Sequence, residues 1–130
     1  MTTVNNLPCI SHRTVILPGS QIQITFQNSI ASNLLKLFND RNSYDPKIAQ
    51  VLNDKYPLGE KESPTIPKNY FLGVIPQDGS DVGCLCRVIK FEKKLNDIQT
   101  NLILKSLVRI KLDTPLLNSN EVIWKSNIQL

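Results

Sequence analysis

Histidine, tryptophan and methionine occur once each in this chain of 130 residues, and glycine only five times. With His12 as its one histidine, the chain gives a Ser-His-Asp relay almost nothing to build on. No serine stands in a Gly-x-Ser-x-Gly elbow or beside an evident lysine partner. The glycines are isolated, so there is no Gly-x-x-x-x-Gly-Lys-Ser/Thr loop to cradle nucleotide phosphates. Neither hydrolysis nor ATP binding of that kind is expected of these residues.

Long apolar runs are missing as well. None approaches the ~20 residues of a membrane-crossing helix, and the longest, around 102 to 112, is broken by Lys105, Arg109 and Lys111. The chain therefore reads as soluble. Residues Met1 to Asn6 are polar and uncharged, unlike a basic transit peptide or a signal core. Cysteine is scarce and odd in number: Cys9, Cys84 and Cys86, the last two too close in sequence to bridge each other well. That usage fits a reducing, intracellular compartment. The net charge of +4 is carried by scattered residues, and the densest basic run, Lys90-Phe-Glu-Lys-Lys94, contains an acid. A nucleic-acid footprint would be a like-charged block with interleaved aromatics, so RNA or DNA is not the expected partner.

What is present is a mainly β pattern. At 41% hydrophobic residues, 130 residues support one sizeable core, and a single domain over 1–130 is expected. Val15 to Leu17 reads as a first short strand stopped by Pro18-Gly19. Gln21 to Phe26 alternates polar and apolar, which places Ile22, Ile24 and Phe26 on one face. Ile30, Ala31, Leu34, Leu37 and Phe38 recur at helical spacing, with Asn28 or Ser29 as the cap. Asp45-Pro46, followed by Ile48, Val51 and Leu52, predicts a second, shorter helix. The Pro- and Gly-broken stretch from Tyr56 to Asn69 predicts a mobile loop, within an insertion over about 40–69. Strands follow over 70–75, 82–91 and 99–112, and a last extended segment over 121–130. In the longest of these, Leu102, Leu104, Val108, Ile110 and Leu112 share a face opposite Asn101, Lys105, Arg109 and Lys111. Strands flanking one helical insertion, without βαβ alternation, define an α+β, mainly β domain: a twisted, antiparallel, partly closed sheet with one or two short helices.

Three small constellations carry possible chemistry. Cys9-x-x-His12 and Cys84-x-Cys86 could together supply a Cys3His zinc centre. The preferred reading is buried small hydrophobes, because no Cys-x-x-Cys knuckle is present. Asp78 and Asp81 flank Gly79 but lack the further oxygen ligands of a calcium loop, and read as turn residues. The stripe Ile30, Leu34, Phe38 reads as core before it reads as a docking face. Tyr70, Phe71 and Trp124 either close the core or stand in a surface groove, and sequence leaves both open.

Taken in order, Leu7-Pro8, Leu17-Pro-Gly-Ser20, Leu72-Gly-Val-Ile-Pro76, the Val-Gly-x-x-x-Arg-Val of 82–88 and the x-Leu-x-Arg-Ile of 106–110 resemble the N-terminal domain of Lon-type ATP-dependent proteases. The wording is similar to the peroxisomal branch: the bacterial and mitochondrial form has a second proline after the first Leu-Pro and a Gly-Arg pair after the second strand. Here those positions read Cys9-Ile-Ser-His12 and Gln27-Asn28. Ser106 departs from the family's usual glycine, which could have allowed a bulge or positive φ there.

The resemblance implies a PUA-like layout and a non-catalytic substrate-recognition and assembly domain. Its parent would be an ATP-dependent Ser-Lys protease, using ATP and magnesium, hexameric, and clearing misfolded or damaged proteins from the peroxisomal matrix. No cofactor or metal is expected in this chain itself. A recogniser of unfolded protein must keep apolar surface open, and Phe71, Leu72 and Trp124 are the leading candidates. The alternative is a standalone PUA-like ligand- or RNA-binding module.

Overall fold

In the computed structural model, residues 3–13, 16–40, 44–57, 70–77, 81–113 and 123–130 are described, with the side chains of 123–126 outside that description. Six strands and two helices follow in the order β1 (Thr3–His12), β2 (Gln21–Gln27), α1 (Asn28–Asn39), α2 (Pro46–Lys55), β3 (Phe71–Pro76), β4 (Val82–Lys93), β5 (Gln99–Leu112) and β6 (Ile123–Gln129). They divide into two units: Met1–Ser20, Phe71–Cys86 and Ser106–Leu130 form one, Gln21–Tyr70 and Arg87–Lys105 the other. The mainly β class and the two helices are as expected from sequence.

In the first unit β1 lies between β3 and β6. Its pairing with β3 is parallel, Cys9 opposite Gly73 and Ile10 opposite Val74, and with β6 antiparallel, Cys9 opposite Trp124. The sheet is therefore mixed, which corrects the all-antiparallel expectation. A chain that leaves β1, builds most of the other unit and only then returns as β3 is free to lie parallel to it. β6 turns back to pair with the end of β5 (Lys111 opposite Gln129), and the Leu112 N–H donates to the Asp81 carbonyl at 2.7 Å. The ring β1–β3–β4–β5–β6 thus closes on itself.

Of the short strand read over Val15 to Leu17, Ile16 and Leu17 are described and belong to no strand. Val15 lies outside the described residues, Ile16 is buried and Leu17 is 60% exposed. Pro18-Gly19 forms a turn in which the Ser20 N–H reaches the Leu17 carbonyl at 3.3 Å, with Gly19 at φ +88°. Ser106 anchors that turn. Its hydroxyl donates to the Leu17 carbonyl at 2.5 Å and accepts the Ser20 N–H at 3.1 Å, while its backbone pairs with Gly19 and Ser20. Positive φ among described non-glycine residues falls at Asn6 and Asp97, not here.

In the second unit β2 pairs antiparallel with the first half of β5, Gln21 opposite Lys105 through Gln27 opposite Gln99. Ile24 and Phe26 are buried as the alternation predicts, Ile22 partly so. α1 buries Ala31, Leu34 and Phe38. Its cap is Gln27, without a side-chain bond, rather than Asn28 or Ser29. α2 begins as read: the Asp45 carboxylate accepts the Lys47 N–H at 2.9 Å with Pro46 in the first turn. Its buried residues are Ala49 and Leu52, whereas Val51 is 49% exposed. Arg87, 1% exposed, donates to Asn53 Oδ1 at 2.7 Å and to the Tyr56 carbonyl. It thereby sets a cation at the carbonyl end of α2, where the helix dipole favours it. From Leu58 to Asn69 the predicted mobile loop lies outside the described residues, as do Asp78 and Gly79.

Candidate peptide-binding surface

Two of the three aromatic residues left open by the sequence belong to the core. Tyr70 stacks on Phe38 with centroids 4.7 Å apart, meets Tyr44 edge-on, and donates its hydroxyl to Asn39 Oδ1 at 2.6 Å. Phe71 and Leu72 are both 0% exposed. As candidate contact residues they are corrected: every residue from Phe71 to Ile75 is buried, and since successive residues point to opposite faces, both faces of β3 are covered and an apolar run is what such a strand needs. Trp124 lies in β6 opposite Cys9, and its side chain is outside the described residues.

The cysteines are core too. Cys9, Cys84 and Cys86 are free and buried, and their thiols turn toward the carbonyls of Leu7, Ile16 and Cys84. Burial pushes the Cys9 thiol up to about 12 and raises those of Cys84 and Cys86, Arg109 opposing the shift at Cys84 and the Cys84 thiol adding to that at Cys86. A thiol held protonated is a poor metal ligand and a poor nucleophile. Among the described residues no three His, Cys, Asp or Glu converge as a metal site.

Apolar surface appears elsewhere, at the turn between β4 and β5. Lys94-Leu-Asn-Asp-Ile98 carries Leu95, fully exposed, and Ile98, 67% exposed. The turn is tightly built. Asn96 Oδ1 accepts the N–H of Ile98 and of Gln99 at 3.2 and 3.3 Å, and its amide donates to Gln99 Oε1 at 3.0 Å. The Lys94 N–H donates to the Gln99 carbonyl at 2.9 Å, and Asp97 adopts φ 59°. Asn28, the first residue of α1, fastens the helix to this turn: its amide donates to the Asp97 carbonyl at 2.9 Å and its Oδ1 accepts the Thr100 hydroxyl at 2.7 Å.

Beside the turn, α1 and the hairpin enclose an open groove of about 450 Å³. It is lined by Asn28, Ala31, Ser32, Leu35, Phe91, Lys93 and Thr100. Next to it a depression of about 420 Å³ is lined by Gln27, Asn28, Ser29, Asp97, Ile98 and Gln99. Leu35, 37% exposed, and Phe91, half-buried, supply the groove's apolar floor. The hydrogen bonds of the turn leave Leu95 and Ile98 in water beside this groove. The signal was present in the sequence: a leucine and an isoleucine in a short turn, where polar residues suffice.

The fold is similar to that of a Lon N-terminal domain. The crystal structure of a Lon N-terminal domain protein from Xanthomonas campestris is similar over 99% of this chain and 59% of that one, with a TM-score of 0.56 at 17% identity. The N-terminal domain of a Lon protease from the Mycobacterium avium complex aligns over 98% of this chain and 53% of that one, at TM-score 0.48 and 11% identity. The chain thus spans little more than half of either. No protein-family model matches the sequence, and no curated protein matches it significantly.

Proposed function

We propose that this chain is the substrate-recognition domain of a Lon-type ATP-dependent protease, binding exposed apolar segments of unfolded or damaged proteins. The observation that carries the reading is the pair Leu95 and Ile98, held in water by a hydrogen-bonded turn beside an apolar groove. The parent would supply what this chain lacks: ATP and magnesium chemistry, and a serine nucleophile with a lysine base. In a hexamer, six weak sites would combine into useful avidity. The Leu-Pro-Gly-Ser and Leu-Gly-Val-Ile-Pro wording of 17–20 and 72–76 supports a peroxisomal parent, which a fluorescent fusion of the full-length protein would test by its location.

Hydrophobic capture persists as salt rises, whereas phosphate-directed binding falls steeply. Titration with a permanently unfolded, carboxymethylated protein at low and high salt should therefore give similar affinities. Salt-sensitive binding of single-stranded RNA, with no affinity for the unfolded protein, would overturn the reading.

A further inference from the structure

In an antiparallel pair, alternate residues of a strand turn both main-chain groups toward the neighbour and the others turn both away. In β2 it is the even-numbered residues that face β5. Just beyond one end the Asn28 N–H donates to the Ile98 carbonyl at 3.1 Å, just beyond the other the Ser20 carbonyl accepts the Ser106 N–H at 2.8 Å, and the register between them is unbroken. The N–H and C=O of Gln21, Gln23 and Thr25, and the N–H of Gln27, therefore point away from β5. On that side β2 has no neighbouring strand, and among the described residues these groups have no hydrogen-bond partner.

Sheet edges are ordinarily guarded by lysine, proline, a bulge or a covering element. Gln21-Ile-Gln-Ile-Thr-Phe-Gln27 holds no charge and no proline, and its outward-facing residues are all exposed. We infer that this edge accepts an extended segment of an unfolded polypeptide, paired main chain to main chain along β2. The inference rests on the substrate-recognition reading and gives that surface its mode of capture. Continuity selects this occupant. The open row ends at Gln27, which lines the depression with Ile98, and Asn28 is shared between that depression and the apolar groove. A segment laid on the edge would therefore end at Gln27, where the depression that holds Ile98 begins. Main-chain pairing is also indifferent to sequence, as capture of many unfolded chains requires. A second copy of β2 would fill the row and leave the groove unused.

The probe is a capped peptide of alternating threonine and valine closed by two leucines. Its companion is N-methylated at two adjacent central residues, so that each edge loses a donor while every side chain stays. The intact chain should bind the methylated peptide at least tenfold more weakly. Adding the unmethylated peptide should slow hydrogen exchange at the Gln23 and Thr25 amides at least tenfold. Gln23→Pro, which removes an outward donor and leaves the bonds of Ile22 and Ile24 to β5, should weaken binding as the methylated peptide does. Equal affinity for the two peptides would overturn edge pairing and leave side-chain capture by the groove standing. Failure of both to bind would overturn the recognition reading as well. Concentration-dependent dimerisation that protects the same amides and excludes peptide would overturn it in favour of a second copy.

Discussion

Single residues show how tightly the first unit is assembled. A Cβ on Gly83 would lie 2.4 Å from the Val74 carbonyl oxygen and 2.5 Å from Ile75 Cδ1, one contact being backbone that cannot step aside. Gly83→Ala should destabilise the chain by about 2–3 kcal/mol, read as a lower urea midpoint, and an unchanged midpoint would contradict the packing described. The cysteines give a pH dependence whose sign is fixed. Cys9 keeps its proton in the folded state up to about pH 12, while the unfolded chain loses it near 9. Below 9 both states hold the proton and this group adds no slope. Above 9 only the unfolded state releases it, so stability falls, by about 1.4 kcal/mol per pH unit for one such thiol. Urea unfolding at pH 8 and 10.5 should show a loss that Cys9→Ala partly removes, and identical losses in both proteins would contradict it. Burial of these thiols was legible, because a Cys-x-Cys pair within an apolar strand places both on one face. The anchoring by Ser106 was not, since its partners are distant in sequence.

At the scale of elements, what could be read was local and what could not was paired from afar. β5 is legible with its bounds, Gln99–Leu112, because period-two alternation is written in neighbouring residues. β1 was missed. Its pattern includes Asn5, Asn6 at φ 59° and Pro8, with a register shift between Val4 and Leu7, and it becomes a strand only because β3 and β6 hold it. β3 is legible as a strand, but its residues Phe71 and Leu72, candidates for open surface in the sequence, are core, since every residue from Phe71 to Ile75 is buried. The two hydroxyl-mediated bonds of Ser106 predict that Ser106→Ala costs about 1–2 kcal/mol and loosens the Pro18-Gly19 turn, seen as faster amide exchange at Gly19 and Ser20. Arg87 ties the end of α2 to β4 through Asn53 and the Tyr56 carbonyl. Arg87→Lys should lose about 1.5–3 kcal/mol, because an ammonium cannot reproduce the planar fork, and a thermal melt equal to the parent's would contradict that role.

For the molecule as a whole, the candidate surface was less legible than the fold. The sequence points to Phe71, Leu72 and Trp124, large apolar residues in strands, as the contact candidates. The core instead consumes Tyr70, Phe71 and Leu72, and the open apolar groups sit on a turn and a helix face, where composition alone carries little weight. Side chains so exposed contribute little to stability, and that separates folding from binding. The measurement that tests the account most directly is the affinity of the double variant Leu95→Ser, Ile98→Ser for a permanently unfolded protein, alongside its thermal melt. Binding should fall at least tenfold with stability unchanged within about 0.5 kcal/mol. Undiminished affinity in a variant that melts with the parent would contradict it.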